Sequence, residues 1–239
     1  MNKTVEVLGQ LNLSSRGIHA HDEFLRALVA VSRHKHPENV LEVGGGRSPI
    51  GLDLGLGDVL TVSDVSSLEL SYLAPDVRQI CFDICDPQGI PSGSAGTFDL
   101  VFSQCVLEHV SSIDAAMENC YSLLREGGVA FHYFPTLYSS PFILNRILPF
   151  RLTYPIVKAI LKPAYERFPG RYRQARSTIR QLESWKSLGF EIVHAHRFYD
   201  HGYYRRIPIV RSIESRLSAI AERRNWYWYS SYAFVLLIK

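Results

Sequence analysis

The chain has 239 residues, 46% of them hydrophobic and 21% charged, enough for one substantial core and too few for two independent catalytic domains, so a single domain with insertions is expected. That composition excludes a mainly disordered chain, and no apolar run reaches the roughly 18–20 residues that span a bilayer. The net charge of +3 is uneven: residues 138–225 hold 17 of the 26 Lys and Arg but 6 of the 23 Asp and Glu, which suits an anionic partner or is a solvated face.

The opening residues lack a signal peptide's apolar stretch, which predicts a cytoplasmic protein. His21 to His34 then places Phe24, Leu25, Leu28, Val29 and Val31 at helical spacing and stops before Pro37, an amphipathic helix packed outside a sheet. Asn39–Val43 reads as a short apolar strand running into three consecutive glycines, the way a parallel α/β strand enters its ligand loop. Val59–Ser63 and Arg78–Phe82 read as the next strands, ending on Asp64 and Asp83, with a helix over Ser67–Leu73 between them. Phe98–Ser103 is predicted as the fourth strand, Ile113–Leu124 as a helix closed by Gly127 and Gly128, and Val129–Phe134 as the fifth strand.

Prolines at 135, 141, 149, 155, 163 and 169 interrupt any long helix beyond that point, so an inserted acceptor-side lid over residues 136–176 is expected after strand five. Thr178–Leu188 reads as a helix ended by Gly189, Phe190–His194 as a sixth strand, and Tyr227–Lys239 as a final aromatic and β-branched strand. Within a second insertion, 200–225, Ile209, Ile213, Leu217 and Ile220 fall three or four apart with Arg between them, a basic amphipathic helix. Strands alternating with helices imply an α/β fold: a mostly parallel sheet covered by helices on both faces. Cys81, Cys85, Cys105 and Cys120 form no CxxC pair and have no His at zinc-finger spacing, so they read as reduced and mostly buried.

The segment VLEVGGGRSP at 40–49 carries the clearest chemistry, because glycines directly after a strand let backbone amides approach a ligand that a Cβ would exclude. Asp64 closes the next strand 20 residues beyond Gly44, where a carboxylate can accept both hydroxyl hydrogens of a ribose, and Asp83 closes the one after. Three neighbouring strand ends thus predict a site for a nucleoside-bearing cofactor. Pro49 stands where a dinucleotide fold has its third glycine, and Glu42 before the loop would repel a pyrophosphate but suits a cationic sulfonium. Glu42 capping its own loop amides is the other reading.

With ExGxG at 42–46, acidic ends to strands two and three, FDLVFSQCVLEHV at 98–110 and LLREGGVAFHYFP at 123–135, the chain resembles a class I S-adenosylmethionine-dependent methyltransferase over residues 20–135 and 177–239. The resemblance implies a Rossmann-like seven-stranded sheet whose last strand runs antiparallel between the fifth and sixth, and S-adenosylmethionine as cofactor. By it, Gly44 and Gly46 line the methionine moiety, Asp64 holds the ribose, Val65 packs on adenine, Asp83 with Ile84 meets the adenine edge, and Gln104 sits near the amino-acid end.

Methyl transfer is an in-line displacement governed by positioning, and a hydroxyl acceptor also needs a base, for which His109 after strand four is the candidate. Capping the following helix is its alternative role. His132 and Tyr133 are weaker candidates, since alternation sends one of them into the layer covering the sheet. Glu108–His109 resembles part of the ExxEH metal motif of some ubiquinone-pathway and RNA-terminal methyltransferases, but Cys105 replaces the first glutamate, so no metal is expected. The region after 132 looks more loosely like the acceptor region of methyltransferase-like proteins encoded among bacterial surface-polysaccharide genes. This implies O-methylation of a sugar hydroxyl on a nucleotide- or lipid-linked glycan, an anionic small-molecule or glycan acceptor. A quinone or lipid reached by peripheral membrane contact, a non-catalytic cofactor-binding regulator, and a nucleic-acid substrate, ranked lowest, are the alternatives.

Overall fold

The computed structural model describes residues 3–136, 175–202, 204 and 208–239. Its centre is a seven-stranded sheet in the order β3-β2-β1-β4-β5-β7-β6. The strands are β1 (Val40–Val43), β2 (Leu60–Asp64), β3 (Arg78–Cys81), β4 (Phe98–Gln104), β5 (Leu124–Pro135), β6 (Glu191–Phe198) and β7 (Tyr232–Ile238). The first five pair in parallel, and β7 lies antiparallel to both β5 and β6, the topology that the resemblance implies.

Alternation along the strands sorts side chains onto two cores. On one face Val40, Leu60, Val62, Leu100, Phe102, Phe131 and Phe234 pack against α2 (Ala20–Lys35) through Phe24, Ala27, Leu28 and Val31. On the other, Leu41, Val43, Val101, Ala130 and Val235 meet α5 (Ile113–Leu123) and α6 (Ile179–Ser187), the latter through the fully buried Trp185. Aromatic rings fill the first layer, with Phe24 stacked on Tyr133 at 5.1 Å and Phe131 edge-on to Phe234 at 5.2 Å.

Four short or terminal helices complete the described chain: α1 (Lys3–Gly9), α3 (Ile50–Asp53), α4 (Ser67–Leu70) and α7 (Pro208–Arg223). Hydroxyl caps start three of the helices: Ser66, Ser112 and Thr178 accept the amides of Glu69, Ala115 and Gln181.

Several boundaries differ from those expected, each for a local reason. Gly127 and Gly128 do not close α5; they lie inside β5, which begins at Leu124 and shifts register between Phe98 and Leu100, with Gly127 at φ +73° donating to Lys239. β6 continues past His194 to Phe198 because Ala195 to Phe198 still pair with β7. Tyr227–Tyr229 forms a 3-10 turn before β7, not part of the strand. A one-turn helix, α3, too short to show periodicity, links β1 to β2, and residues 82–97 cross from β3 to β4 without one. The four thiols are free, but Cys120 alone is buried; Cys81 is exposed, Cys85 and Cys105 partly so. Of the expected insertions, 136–176 lies almost wholly outside the described residues.

Where the chain leaves and re-enters the described fold, polar groups are buried together. The Thr136 hydroxyl donates to the Ser230 carbonyl, and the Ser177 and Ser230 hydroxyls lie 3.4 Å apart. Arg197 on β6 donates to the Ser177 carbonyl through Nη2 at 2.7 Å and Nε at 3.1 Å.

Candidate functional site

The carboxyl ends of β1, β2, β3 and β4 open into one cleft of about 450 Å3, where ligands bind in open α/β sheets. β1 delivers the glycines, and the amides of Gly44 and Gly45 donate to the Ser63 carbonyl at 2.7 and 3.1 Å, so the loop turns over β2. Gly44 has φ +70°, and a Cβ there would stand 2.4 Å from Val106 Cγ2. Gly46, at φ +49°, lies where a Cβ would come within 3.3 Å of Asp64 Oδ2. Both positions therefore need glycine.

Asp64 ends β2 half-buried, with Oδ1 accepting the Ser66 amide at 2.8 Å. Burial first, and the neighbouring Glu69 charge second, raise its pKa above the ordinary value, against the pull of the Ser66 amide. Val65, 66% exposed, offers an apolar surface to the cleft. Asp83 holds its own turn by accepting the Cys85 amide at 2.9 Å, and buried Ile84 is fixed through its carbonyl by Asn119 Nδ2 at 2.7 Å. Gly44, Asp64, Val65, Asp83, Ile84 and His109 all line this one cleft.

The other expected site residues do not. Glu42 is 3% exposed, and its oxygens accept the amides of Ile50 and Gly51 at 2.9 and 2.8 Å. Its carboxylate thus caps α3 and is not turned to a cationic ligand. Burial raises its pKa to about 7, moderated by those two amides. Gly46 shapes the loop beside Asp64 without lining the cleft, and Gln104 Oε1 is held at 3.0 Å by His21 Nε2. His132 and Tyr133 are both buried, one bonded through Nδ1 to Ser103 Oγ at 2.8 Å, the other stacked on Phe24; burial lowers the His132 pKa to about 4.

After β4 the backbone is strained. Cys105 takes φ +55°, unusual for a residue with a side chain, and Val106 follows to fill the space beside Gly44. Glu108 is 4% exposed, and burial raises its pKa to about 8. Its Oε1 lies 3.8 Å from His109 Nε2. At that length, with the acid neutral near pH 7, the contact is neither a hydrogen bond nor an ion pair. Among the described residues no three acidic, His or Cys side chains converge as metal ligands.

Ser63, Phe82, Val106 and Val110 also line the cleft but carry no sequence signal, since their proximity depends on strands distant in sequence. Arg47 grips Glu69 with two bonds of 2.6 Å and lies 4.2 Å over the Tyr72 ring, fixing the loop after the glycines.

Residues 41–132 match the family described as the methyltransferase domain. Among solved structures, a SAM-dependent methyltransferase from Archaeoglobus fulgidus is similar at 15% identity and a TM-score of 0.53, over 90% of this chain and 94% of its own. The trans-methyltransferase CalH, in complex with SAH, is similar at 16% identity and a TM-score of 0.54, over 89% of this chain and 55% of that one. The cyclase SpnF shares the fold at 17% identity and a TM-score of 0.53, over 95% of this chain and 85% of its own. No curated protein sequence matches the chain.

Sheet order and cleft are those of the Rossmann-like methyltransferase fold, and residues 41–132 match the methyltransferase domain, whose cofactor is S-adenosylmethionine. The residues present fit that cofactor: a glycine cradle that a Cβ would fill, a carboxylate at the end of β2, and an apolar face beside it. No helix among the described residues is long and apolar enough to cross a membrane.

Proposed function

We propose that the protein methylates a hydroxyl of a sugar on a nucleotide- or lipid-linked glycan, as a step of polysaccharide biosynthesis in the cytoplasm. The observation that carries this reading is His109, the one imidazole among the described residues that lines the cleft with Gly44 and Asp64. The basic excess of residues 138–225 supports an anionic, phosphate-bearing acceptor, and the four free thiols support a reducing compartment.

When bound, the cofactor supplies a methyl carbon activated by a cationic sulfur. Asp64 would accept ribose hydroxyl hydrogens, Val65 would pack on the adenine, and Asp83 with Ile84 would meet its edge. The imidazole of His109 would take the acceptor's hydroxyl proton while the methyl carbon–sulfur bond breaks and the carbon–oxygen bond forms, S-adenosylhomocysteine being the leaving group. Buried Glu108 beside it, neutral near pH 7, lends no charge to the imidazolium, so His109 would act without a carboxylate partner.

Protein incubated with methyl-labelled S-adenosylmethionine and extracts containing nucleotide sugars and lipid-linked glycans is expected to label a phosphosugar fraction, with His109→Ala lowering the rate by on the order of 100-fold while leaving cofactor affinity in place. Label confined to quinones or lipids would shift the acceptor to the membrane. Absence of any product at full cofactor occupancy would leave a binding protein without turnover.

A further inference from the structure

Helix α7 packs in an inverted way. Its buried residues are Glu214, Ser218 and Ala221. Ile209, Val210, Ile213, Leu217 and Ile220 are instead exposed by 76, 38, 57, 43 and 42%, and their three- and four-residue spacing puts them on one stripe. A helix held to its own protein by a polar and small face, while showing solvent an isoleucine and leucine stripe, is unexplained by the fold. The anchoring is specific: Glu214 Oε1 meets the buried His201 Nε2 at 2.8 Å.

The charge around the stripe is one-sided. Arg211, Arg216 and Arg223 are exposed and make no ion pair among the described residues. Glu222 is the helix's one exposed acid. Just beyond, Arg224 lies 5.4 Å over Trp226, which stacks on Trp228 at 5.0 Å, and Trp228 is 48% exposed. Aliphatic residues on one face, Arg216 and Arg223 along its border and tryptophans at its end form the composition of a helix that lies in a lipid headgroup layer. A second copy of this chain fits poorly, since a two-fold contact would set these arginines against their own copies.

We propose that α7 docks the protein on an anionic bilayer surface. The connection gives this a use. α7 leaves the carboxyl end of β6 and returns to the start of β7, where Tyr232 pairs with Pro135 and Phe198. The helix is therefore attached along the carboxyl edge of the sheet, the edge that carries the cofactor cleft.

Flotation tests this with vesicles of phosphatidylcholine and phosphatidylglycerol in equal parts, against phosphatidylcholine alone. The protein floats with the anionic vesicles and not the neutral ones, and added salt releases it. Replacing Arg216→Gln and Arg223→Gln together weakens partitioning on the order of 30-fold, and Ile213→Glu with Leu217→Glu abolishes it. Affinity for S-adenosylhomocysteine, which reads the cleft alone, stays unchanged in both variants, so loss of docking and loss of the methyltransferase reading are separable. Should the glutamate variant unfold, the arginine variant, altered only at exposed side chains, decides alone. Failure to float with anionic vesicles, flotation that survives the arginine variant, or a dimer in sedimentation that Leu217→Glu dissociates would each overturn the proposal.

Discussion

In the proposed function Asp64 combines two demands: it would have to stay charged to accept ribose hydroxyls, yet its half-buried position raises its pKa. Affinity for S-adenosylhomocysteine is therefore expected to fall as pH drops through a value above the ordinary 3.8, because protonation turns an acceptor into a donor. Asp64→Ala should weaken that affinity by roughly 2–4 kcal/mol through the lost charge-assisted bonds, and calorimetric titration that finds no change would remove Asp64 from the site. Gly44→Ala meets Val106 Cγ2 at 2.4 Å and a φ of +70°, so it should lower both stability and cofactor affinity. Adding Val106→Ala relieves the clash but not the backbone strain of about 1–2 kcal/mol, so recovery in a denaturant melt is partial. Gly44, Asp64 and Asp83 are legible in the sequence because each lies at or within two residues of its strand's end, β3 stopping at Cys81 and not at the expected Phe82, and neighbouring strand ends meet. Glu42 and Gln104 are legible only as residues near a loop, since their partners, the Ile50 and Gly51 amides and His21, are set by how the chain folds back.

At the scale of elements, the loop after β1 is held from beneath. Glu42 reaches past the glycines to bind the first amides of α3, joining strand, loop and helix. Glu42→Ala is expected to cost about 1–3 kcal/mol for each amide left without an acceptor. The midpoint of urea unfolding reads this directly, and an unchanged midpoint would mean that water replaces the carboxylate. Strand order and the positions of β1 to β4 follow from hydrophobic runs ending on Gly or Asp. The bulged start of β5 does not, because glycines that interrupt a strand look in sequence like glycines that end a helix. The exposed stripe of α7 is visible in sequence as amphipathicity, but its outward direction is not: periodicity gives a face without saying which way it points.

For the whole molecule, four strongly shifted groups, buried Glu42, Glu108 and His132 and half-buried His194, dominate how stability depends on pH near neutrality. Glu42 and Glu108 hold pKa values of about 7 and about 8, raised from 4.5. The folded state thus keeps protons that the unfolded chain has lost, and this contribution fades as pH rises from 4.5 towards those values. His132 and His194 are lowered from 6.5 to about 4, so their contribution fades instead as pH falls from 6.5. The two effects oppose each other between 4.5 and 6.5, and above 6.5 the acids act alone. The thermal midpoint is therefore expected to decline by several degrees from pH 6.5 to 8.5, with about 2 kcal/mol coming from Glu108. Glu108→Gln should flatten that decline, and a slope that the substitution leaves intact would show the acid to be ionised already. Finally, the buried Thr136 and Ser177 hydroxyls meet at Ser230, with Ser177 held by Arg197, and tie together the two points between which residues 137–174 depart and return. Such a clasp makes the sheet indifferent to the sequence strung between them. Under the proposed function, exchanging that stretch is expected to alter the acceptor while S-adenosylhomocysteine still binds with its original affinity.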